Sequence, residues 1–306
     1  MRVRRAAVAG LVALAYAGCF IAIEVGLPFA PALRFAGLRA LFAGLALLAA
    51  AGALGYGLLP PPRLRPWTAV LGGVLAIQYA AMFLSPQRVG PGLASVLANT
   101  GPIFLVLLGA PLLGARIGWR SGGALGLATL GVGLIAWPAG GTTAGNVVGV
   151  TLPLAVALGA AAETILLKHL RVGRALLSVA GWQLTLGAAP LLAISVLYGE
   201  GTIRWTVTFT SALAFLALPG TAVGLALWYW LVQREPVSRL AGFMFMVPVA
   251  GFLLARILLE DTVSSRQAWG LALALGGIFL ATFHGGGRRG EADSTRAPVA
   301  SPAPGS

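Results

Sequence analysis

The sequence predicts an all-α membrane protein with ten transmembrane helices. Of the 306 residues, 58% are hydrophobic and only 9% are charged, whereas a soluble domain has about 25% charged residues. So few ions cannot cover a water-facing surface, and a lipid bilayer is the solvent that favours so many exposed apolar side chains. The second observation is that the apolar residues form segments long enough to cross the bilayer, and the third is that these segments repeat.

Ten apolar segments are separated by charges, Pro/Gly clusters and polar breaks. An α-helix needs about 20 residues to cross a hydrocarbon core of about 30 Å. The segments are 6–26, 32–51, 66–84, 90–113, 119–137, 147–167, 175–198, 208–232, 238–258 and 267–283. Residues 285–306 are rich in Gly, Ser, Pro and charge, which predicts a disordered tail.

The positive charges predict the orientation of these segments. Fifteen of the 21 Lys and Arg residues lie on the side of the N-terminus, and only Arg88, Arg204 and Arg266 lie in loops on the opposite side. Since cytoplasmic loops carry the excess of cations, both termini are predicted to be cytoplasmic. The net charge of +13 is explained in this way, and nucleic acid is not expected as a partner.

The two halves of the chain repeat each other. Residues 95–136 align without a gap on residues 241–282, at an offset of 146, and the alignment pairs Pro102 with Pro248. With five segments in each half, the second copy enters the membrane from the other side. The sequence therefore predicts two inverted repeats, residues 1–141 and 142–284, followed by a cytoplasmic tail at 285–306. Inverted halves can open a shared site to each side of the membrane in turn.

Three stretches carry a resemblance to a known family. They are residues 38–48 (LRALFAGLALL), residues 92–117 with Pro102, and residues 238–263 with Pro248. On these stretches the chain resembles ten-helix, EamA-type members of the drug/metabolite transporter superfamily. One departure is that the Glu found thirteen residues after each Pro in the family is replaced by Ala115 and Asp261.

The resemblance implies a secondary transporter in the inner (plasma) membrane. It implies export of a small metabolite, either amino acid-like or amphiphilic, by alternating access. The expected partners are a small-molecule substrate and the lipid bilayer, while a proton as coupling ion and a homodimer are left open. A lipid or lipid-linked sugar flippase is the nearest alternative function, and a membrane-embedded enzyme or a receptor is a more distant one.

Arg39 is the ionisable residue placed deepest in a predicted segment. It lies about seven residues into the second segment, roughly 10 Å below the membrane surface. A charge at such a depth costs at least about 2.5 kcal/mol and needs a reason. Arg39 is predicted either to bind an anion or carboxylate, or to pair with a buried acid, and the resembled family commonly has Arg at this position. The alternative is a packing clamp that binds backbone carbonyls.

Three further charged residues are candidates for gating or proton coupling. Glu24 and Arg34 lie near the outer ends of the first two segments, where a salt bridge between them would close the outer side. The alternative is that they contact headgroups and water. Glu163 lies near the inner end of the sixth segment and is a candidate proton-titrating or gating group. Its alternative is a boundary carboxylate close to Lys168 and Arg171.

Uncharged residues at mid-depth complete the candidate site. Polar groups within a bilayer turn toward the protein interior to find partners, so they are expected to line a central cavity or, alternatively, to bond neighbouring helices. The predicted substrate-binding residues, besides Arg39, are Gln78, Tyr79, Asn99, Thr100, Gln183, Trp228, Tyr229 and Phe243. Pro102 and Pro248 interrupt helices at matched points and are predicted hinges.

Enzyme motifs and cofactor motifs do not occur in the sequence. The two histidines, His169 and His284, lie at predicted helix ends without a carboxylate pair, so no metal site is expected. No HExxH, Walker A or GxSxG pattern occurs. The sequence therefore predicts a protein that is not an enzyme, binds no cofactor and takes energy for active transport from a gradient. The single cysteine, Cys19, is interpreted as a small core residue.

Overall fold

The computed structural model describes residues 2–90, 94, 97–112, 123–124, 126–127, 130–131, 134, 144–235, 247 and 264–284. Within these residues the regular structure is entirely helical, as the composition predicts. The α-helices are α1 (Arg2–Gly26), α2 (Ala32–Ala53), α3 (Arg65–Leu84), α4 (Pro86–Val89), α5 (Gly101–Leu112), α6 (Ala144–Leu170), α7 (Leu176–Leu197), α8 (Val207–Ala217), α9 (Gly224–Val232) and α10 (Ser265–His284). A π-helical segment, Leu218–Val223, joins α8 to α9.

Six helical runs among the described residues are long and apolar enough to cross a membrane. They are Arg5–Phe29, Ala32–Ala53, Pro62–Val89, Val147–Leu170, Gly173–Leu197 and Val207–Val232. They correspond to the first, second, third, sixth, seventh and eighth predicted segments. Helix α10 overlaps the tenth segment and α5 the second half of the fourth. The ninth segment apart from Val247, the tail, Phe243 and Pro248 lie outside the described residues, and the count of ten stays a prediction.

Large apolar side chains cover the outer surface of these helices. Val207 is 88% exposed, Leu197 is 81% exposed and Ile77 is 66% exposed. In water such exposure is unfavourable, whereas in a bilayer it places hydrocarbon against hydrocarbon. The six apolar runs and this outer surface are those of a multi-pass membrane protein.

Helices α2 and α7 end in the same way. Gly55 and Gly199 have positive φ angles of 68° and 62°, a conformation that glycine adopts without steric cost. Behind them, Tyr56 N–H donates to Ala51 O at 2.8 Å, and Glu200 N–H donates to Ser195 O at 3.1 Å. This is the Schellman arrangement, which satisfies carbonyls left free at a helix C-terminus.

A constant offset relates these helices along the chain. Helix α1 ends at Gly26 and α6 at Leu170, which differ by 144 positions, and α2 (Ala32–Ala53) and α7 (Leu176–Leu197) both contain 22 residues and also differ by 144. The capping glycines, Gly55 and Gly199, have the same spacing. Helices α2 and α7 therefore share their length and their C-terminal capping, and α1 and α6 end at the same spacing.

Polar contacts gather the helix ends at two opposite sides of the molecule. At one side, Arg5 Nη1 lies 2.8 Å from Glu235 Oε1, and Lys168 Nζ donates to Val232 O at 3.0 Å and to Glu235 O at 2.5 Å. We call this side the Glu235 end; it contains the start of α1 and the ends of α6 and α9. The charge distribution predicts that the Glu235 end is cytoplasmic.

The opposite side, the Arg34 end, contains the start of α2 and the end of α7. Arg34 Nε donates to Ser195 Oγ at 3.1 Å, and its Nη atoms donate to Gly201 O at 2.7 Å and Glu200 O at 3.1 Å. The Arg204 N–H donates to Phe29 O at 2.8 Å. Helices α1 and α6 therefore run in opposite directions, as do α2 and α7.

Glycines let α2 and α7 approach closely at the centre of the molecule. A Cβ atom at Gly44 would lie 2.5 Å from Thr185 Oγ1 and 2.8 Å from Gly181 O, and one at Gly181 would lie 2.8 Å from Leu48 Cγ. Helix α3 packs on α7 in the same manner, because a Cβ at Gly187 would lie 2.8 Å from Gly72 O. In a membrane, where water does not drive helices together, such close packing of small residues is a main source of association.

The Gly44 contact gives a test of this packing. We expect Gly44→Ala to lower the free energy of unfolding by about 1–3 kcal/mol, because the added methyl group meets the backbone of α7. Gly73→Ala is the matched control, since nothing lies within 4 Å of a Cβ at that position. Thermal unfolding of the purified variants in detergent measures the difference. Equal melting temperatures for the two variants would contradict the close α2–α7 contact.

Candidate functional site

A cavity of about 130 Å³ lies between α1, α2, α3, α6 and the π-helical segment with α9. Most of its wall is apolar, and the polar atoms come from a few side chains on different helices. Its lining residues are Tyr16, Cys19, Phe20, Arg39, Leu75, Gln78, Tyr79, Met82, Ala98, Asn99, Val156, Ala160, Glu163, Thr164, Gly220, Thr221, Leu225 and Trp228. An apolar cavity with few convergent polar groups is the usual form of a small-molecule site.

The first group of polar residues in the cavity wall surrounds Arg39, which is only 3% exposed. Its Nε donates to Thr221 Oγ1 at 2.7 Å, and its Nη2 contacts Cys19 Sγ at 3.4 Å. The guanidinium carbon lies 4.6 Å from the ring centroid of Tyr79. We call Arg39, Cys19, Thr221 and Tyr79 the cationic cluster.

The guanidinium of Arg39 has no carboxylate partner among the described residues. The ion pair that these residues form within 4.0 Å joins Arg5 to Glu235, far from the cavity. The acceptors around Arg39 are a hydroxyl and the sulfur atoms of Cys19 and Met82, and within the described part of the chain it makes no hydrogen bond to a backbone carbonyl. The sulfur acceptors are weak, so the charge is held by the Tyr79 ring and one hydroxyl, which compensate it only partly.

The π-helical segment brings Thr221 to Arg39. Pro219 has no N–H to donate, so the α-helical pattern of backbone hydrogen bonds is interrupted there. The chain forms the π-helical segment Leu218–Val223 before α9 begins. The same segment offers Gly220 O to the Cys19 thiol at 3.5 Å. Short π-helical insertions are frequent at functional sites. The sequence predicts one uninterrupted helix here; the Pro219-Gly220-Thr221 tripeptide is the local signal for the interruption.

The second group of polar residues surrounds Glu163, which is 8% exposed. Gln78 Nε2 donates to Glu163 Oε2 at 3.1 Å, and Gln183 Nε2 donates to Glu163 Oε1 at 3.0 Å. The Tyr229 hydroxyl lies 2.6 Å from Glu163 Oε1 and also contacts Gln183 Oε1. We call Glu163, Gln78, Gln183 and Tyr229 the acidic cluster. It joins α3, α6, α7 and α9.

The position of Glu163 differs from that of a boundary carboxylate. Helix α6 continues to Leu170, about two turns beyond Glu163, and Lys168 donates to backbone carbonyls at the Glu235 end. Gly159, one turn before Glu163, lets α3 approach, because a Cβ there would lie 2.5 Å from Gln78 Cγ. Glu163 is therefore held inside the bundle by neutral donors.

The two clusters occupy corresponding places in the two halves. Arg39 and Gln183 differ by 144 positions, and so do Cys19 and Glu163, which is the offset that relates α1 to α6 and α2 to α7. In the cationic cluster, Arg39 of α2 contacts Cys19 of α1. In the acidic cluster, Gln183 of α7 contacts Glu163 of α6. At this spacing the guanidinium of Arg39 corresponds to the amide of Gln183, and the thiol of Cys19 corresponds to the carboxyl of Glu163.

The structure brings most of the sequence-predicted residues to this cavity. Tyr79, Asn99 and Trp228 line it together with Arg39, Gln78 and Glu163, whereas Gln183 and Tyr229 are buried behind Glu163. Thr100 donates to Leu97 O at 2.7 Å in a turn. Helix α5 starts directly after this turn, so Pro102 lies in its first turn, where a missing N–H costs no hydrogen bond.

Arg34 and Glu24 lie elsewhere. The hydrogen bonds of Arg34 run to Ser195 and the segment after α7 rather than to Glu24, so they tie α2 to the second half at the Arg34 end. Phe243 and Pro248 lie outside the described residues. Sequence reasoning missed Tyr16 and Thr221 as cavity residues and assigned Cys19 to the core alone, because neutral or apolar residues in an apolar run do not stand out.

The sequence profile of the EamA-like transporter family matches residues 6–137 and 147–283. The chain is 29% identical to a probable terminal-alkyne amino-acid exporter of Streptantibioticus cattleyicolor, over 93% of this chain and 95% of that protein. It is 28% identical to a probable amino-acid metabolite efflux pump of Escherichia coli, over 86% of this chain and 90% of that protein. A solved crystal structure that is 22% identical superposes with a TM-score of 0.71 over 93% of this chain and 98% of that chain, which shows a common fold.

The hydroxyl of Tyr229 gives a test of the acidic cluster. We expect Tyr229→Phe to lower the free energy of unfolding by about 1–3 kcal/mol, because it removes the hydroxyl that contacts the buried Oε1 atoms of Gln183 and Glu163. Tyr198→Phe, at a side chain that is 83% exposed, is the control and should leave the melting temperature unchanged. A melting curve of Tyr229→Phe that coincides with that of Tyr198→Phe would rule out a stabilising role for this contact.

Proposed function

Because the chain belongs to the EamA-like transporter family, we propose that it exports a small metabolite bearing a carboxylate, of the amino-acid type, by alternating access. The protein is a membrane transporter, since the family profile covers nearly all of the predicted segments and six apolar runs span the described part. The substrate class, the direction and the mechanism are the proposal.

The buried guanidinium of Arg39, which has no carboxylate partner among the described residues, is the observation that carries the substrate class. A charge in an apolar interior is costly unless it is paired, and the described groups around Arg39 are a hydroxyl, two sulfur atoms and aromatic rings. A guanidinium binds a carboxylate through parallel hydrogen bonds. A substrate carboxylate entering the cavity would therefore supply the missing partner.

The rest of the cavity wall supports an apolar body next to that carboxylate. The apolar residues Leu75, Met82, Val156, Leu225 and Trp228 line the same cavity as the two clusters. An apolar α-amino acid combines such a body with a charged end. The names of the two relatives, an amino-acid exporter and an amino-acid metabolite efflux pump, point to the same class.

The arrangement of the helices supports alternating access. Helices α1 and α2 run opposite to α6 and α7, at a constant offset of 144 positions, as inverted repeats require. Polar contacts between the halves occur at the Glu235 end and at the Arg34 end, with the cavity between them. We infer that the two five-helix halves rock about this cavity and that breaking the contacts at one end opens it to that side.

Replacement of Arg39 tests the carboxylate site. We expect Arg39→Gln to weaken binding of an apolar amino acid by about 2 kcal/mol, roughly 30-fold, through loss of the charged hydrogen bonds. The measurement is counterflow of a radiolabelled panel of apolar amino acids in proteoliposomes. Thermal unfolding without substrate should show no loss of stability, because the variant removes a buried charge that has no counter-ion within the part of the chain that the structure describes.

Two matched variants complete this test. Arg39→Lys keeps the charge but not the planar pair of donors, so binding should be intermediate. Arg63→Gln changes an exposed arginine in the 3₁₀ turn Pro62–Leu64 and should transport as the wild type does. If Arg39→Gln retains the wild-type affinity for every transported amino acid, Arg39 is not the carboxylate site.

Cys19 gives a direct probe of the cavity, since it is the only cysteine in the chain and lies at the cavity wall. We expect an anionic methanethiosulfonate to modify Cys19 and a bound amino acid to slow the reaction. In Arg39→Gln the anionic reagent should react more slowly, whereas the neutral methyl methanethiosulfonate should react as before. Mass spectrometry of the intact protein measures the modification. Labelling that no transported amino acid slows would place the substrate outside this cavity.

A further inference from the structure

We propose that Glu163 is the residue of the substrate site that binds the ammonium group of a zwitterionic amino acid. Without substrate it carries a proton, and this proton is exchanged for the ammonium group. The inference rests on the proposed function, because it takes Arg39 as the residue that binds the carboxylate. It adds the requirement for a free amino group, the coupling ion and the stoichiometry of exchange.

The contacts within the acidic cluster require one more proton than an ionised Glu163 provides. Three contacts form a ring: Gln183 Nε2 with Glu163 Oε1, Tyr229 Oη with Glu163 Oε1, and Tyr229 Oη with Gln183 Oε1. The amide supplies a hydrogen for the first contact, and the single phenolic hydrogen serves one of the other two. A carboxylic acid completes the ring, with Glu163 donating to Tyr229, Tyr229 to Gln183, and Gln183 to Glu163.

Reversing the Gln183 amide does not remove this requirement. The two ends of an amide are assigned from their hydrogen bonds, so the reversed orientation has to be considered. In it, Gln183 Nε2 faces the Tyr229 hydroxyl and Gln183 Oε1 faces Glu163 Oε1. The Tyr229 hydroxyl then donates to Glu163 Oε1 and accepts from Gln183 Nε2. The remaining contact joins two oxygens, Glu163 Oε1 and Gln183 Oε1, and it still needs a proton that only Glu163 can carry. In both orientations, a proton on Glu163 would complete the hydrogen bonds of these three contacts.

Loss of this proton prepares the cluster for a cation. An ionised Glu163 leaves one oxygen–oxygen contact without a hydrogen and a buried negative charge without a counter-ion among the described residues. A substrate ammonium has three N–H donors and one positive charge. It can therefore donate hydrogen bonds to these oxygens and act as the counter-ion of the carboxylate. Glu163 also lines the cavity that Arg39 lines, so one zwitterion placed in this cavity would meet an acid and a guanidinium.

The exchange balances in atoms and charge. The carboxyl O–H of Glu163 breaks, its proton leaves to the compartment to which the cavity is open, and the ammonium of the substrate takes its place beside the carboxylate. No covalent bond forms to the substrate. After release on the other side, Glu163 takes up a proton there. One neutral zwitterion therefore moves out for each proton that moves in, and one net positive charge crosses the membrane.

Several titratable groups lie around Glu163, and we assign the exchanged proton to the Glu163 carboxyl. Tyr16 of α1, Tyr79 of α3 and Tyr229 of α9 interact electrostatically with it, and Arg39 and Cys19 lie in the same cavity wall. Helices α5 and α7 contain no titratable residue. On α6 itself, Lys168 donates to carbonyls at the Glu235 end, where His169 follows it. Among these groups Glu163 is the carboxyl that faces the cavity.

Proteoliposomes with a pH gradient and three probes test the proposal. The probes are L-leucine, N-acetyl-L-leucine, which has no ammonium, and 4-methylpentanoate, which has no amino group. With an acidic interior, the wild type should accumulate leucine, more strongly at an inside-positive potential. It should take up the other two probes at least about tenfold more slowly, because a hydrogen bond to a charged group contributes that much.

The variant Glu163→Gln keeps the size of the side chain but cannot exchange a proton. We expect its leucine uptake to become independent of the pH gradient and of the potential, and its preference for leucine over N-acetyl-leucine to fall below about threefold. Glu24→Gln, which changes the other candidate acid, should keep both properties. The melting temperatures and Cys19 labelling of both variants show that they are folded.

The outcomes separate this inference from the proposed function. Gradient-driven leucine uptake by Glu163→Gln at the wild-type rate would overturn the inference, as would equal uptake of all three probes by the wild type. In both cases Arg39 and the carboxylate site would stand. If the wild type transports none of the probes and no member of the amino-acid panel, the proposed function itself fails.

Discussion

The structure depends on one constraint, which is that a charge inside an apolar bundle has to be satisfied by whatever surrounds it. Arg39 and Glu163 meet this constraint differently. Arg39 is held by a hydroxyl, two sulfur atoms and a ring face, whereas Glu163 is held by two amides and a phenol. The two side chains form no ion pair with each other within 4.0 Å. The packing of several helices around each one keeps it in place.

Much of the fold follows from the sequence because a membrane span is encoded locally. A length of apolar residues between polar breaks is sufficient to place a helix, and the predicted segment 32–51 became Ala32–Ala53. The depth of a residue within its segment is equally local. This is why Arg39, Gln78 and Tyr79, which are polar or aromatic residues far from any segment end, were predicted as cavity residues and do lie in the cavity wall.

The partners of these residues could not be predicted, since they depend on how each helix is rotated and how closely it packs. Glu163 contacts Gln183 and Tyr229, which are 20 and 66 positions away, because the glycines of α2, α3 and α7 let those helices approach. Arg34 contacts Ser195, which is 161 positions away, where α2 packs against α7. The π-helical segment brings Thr221 to Arg39, and its only sign in the sequence is a proline within an apolar run.

The matched positions of Cys19 and Glu163 have a consequence for how such a protein can arise. Two identical five-helix chains assembled as an antiparallel pair would carry the same residue at both positions, and hence like charges or none. Covalent joining of the halves lets each one mutate separately. One chain can then present an acid where its duplicate has a thiol, and a guanidinium where its duplicate has an amide. A single chain can therefore carry different residues at matched positions, which a symmetric pair of identical chains cannot do.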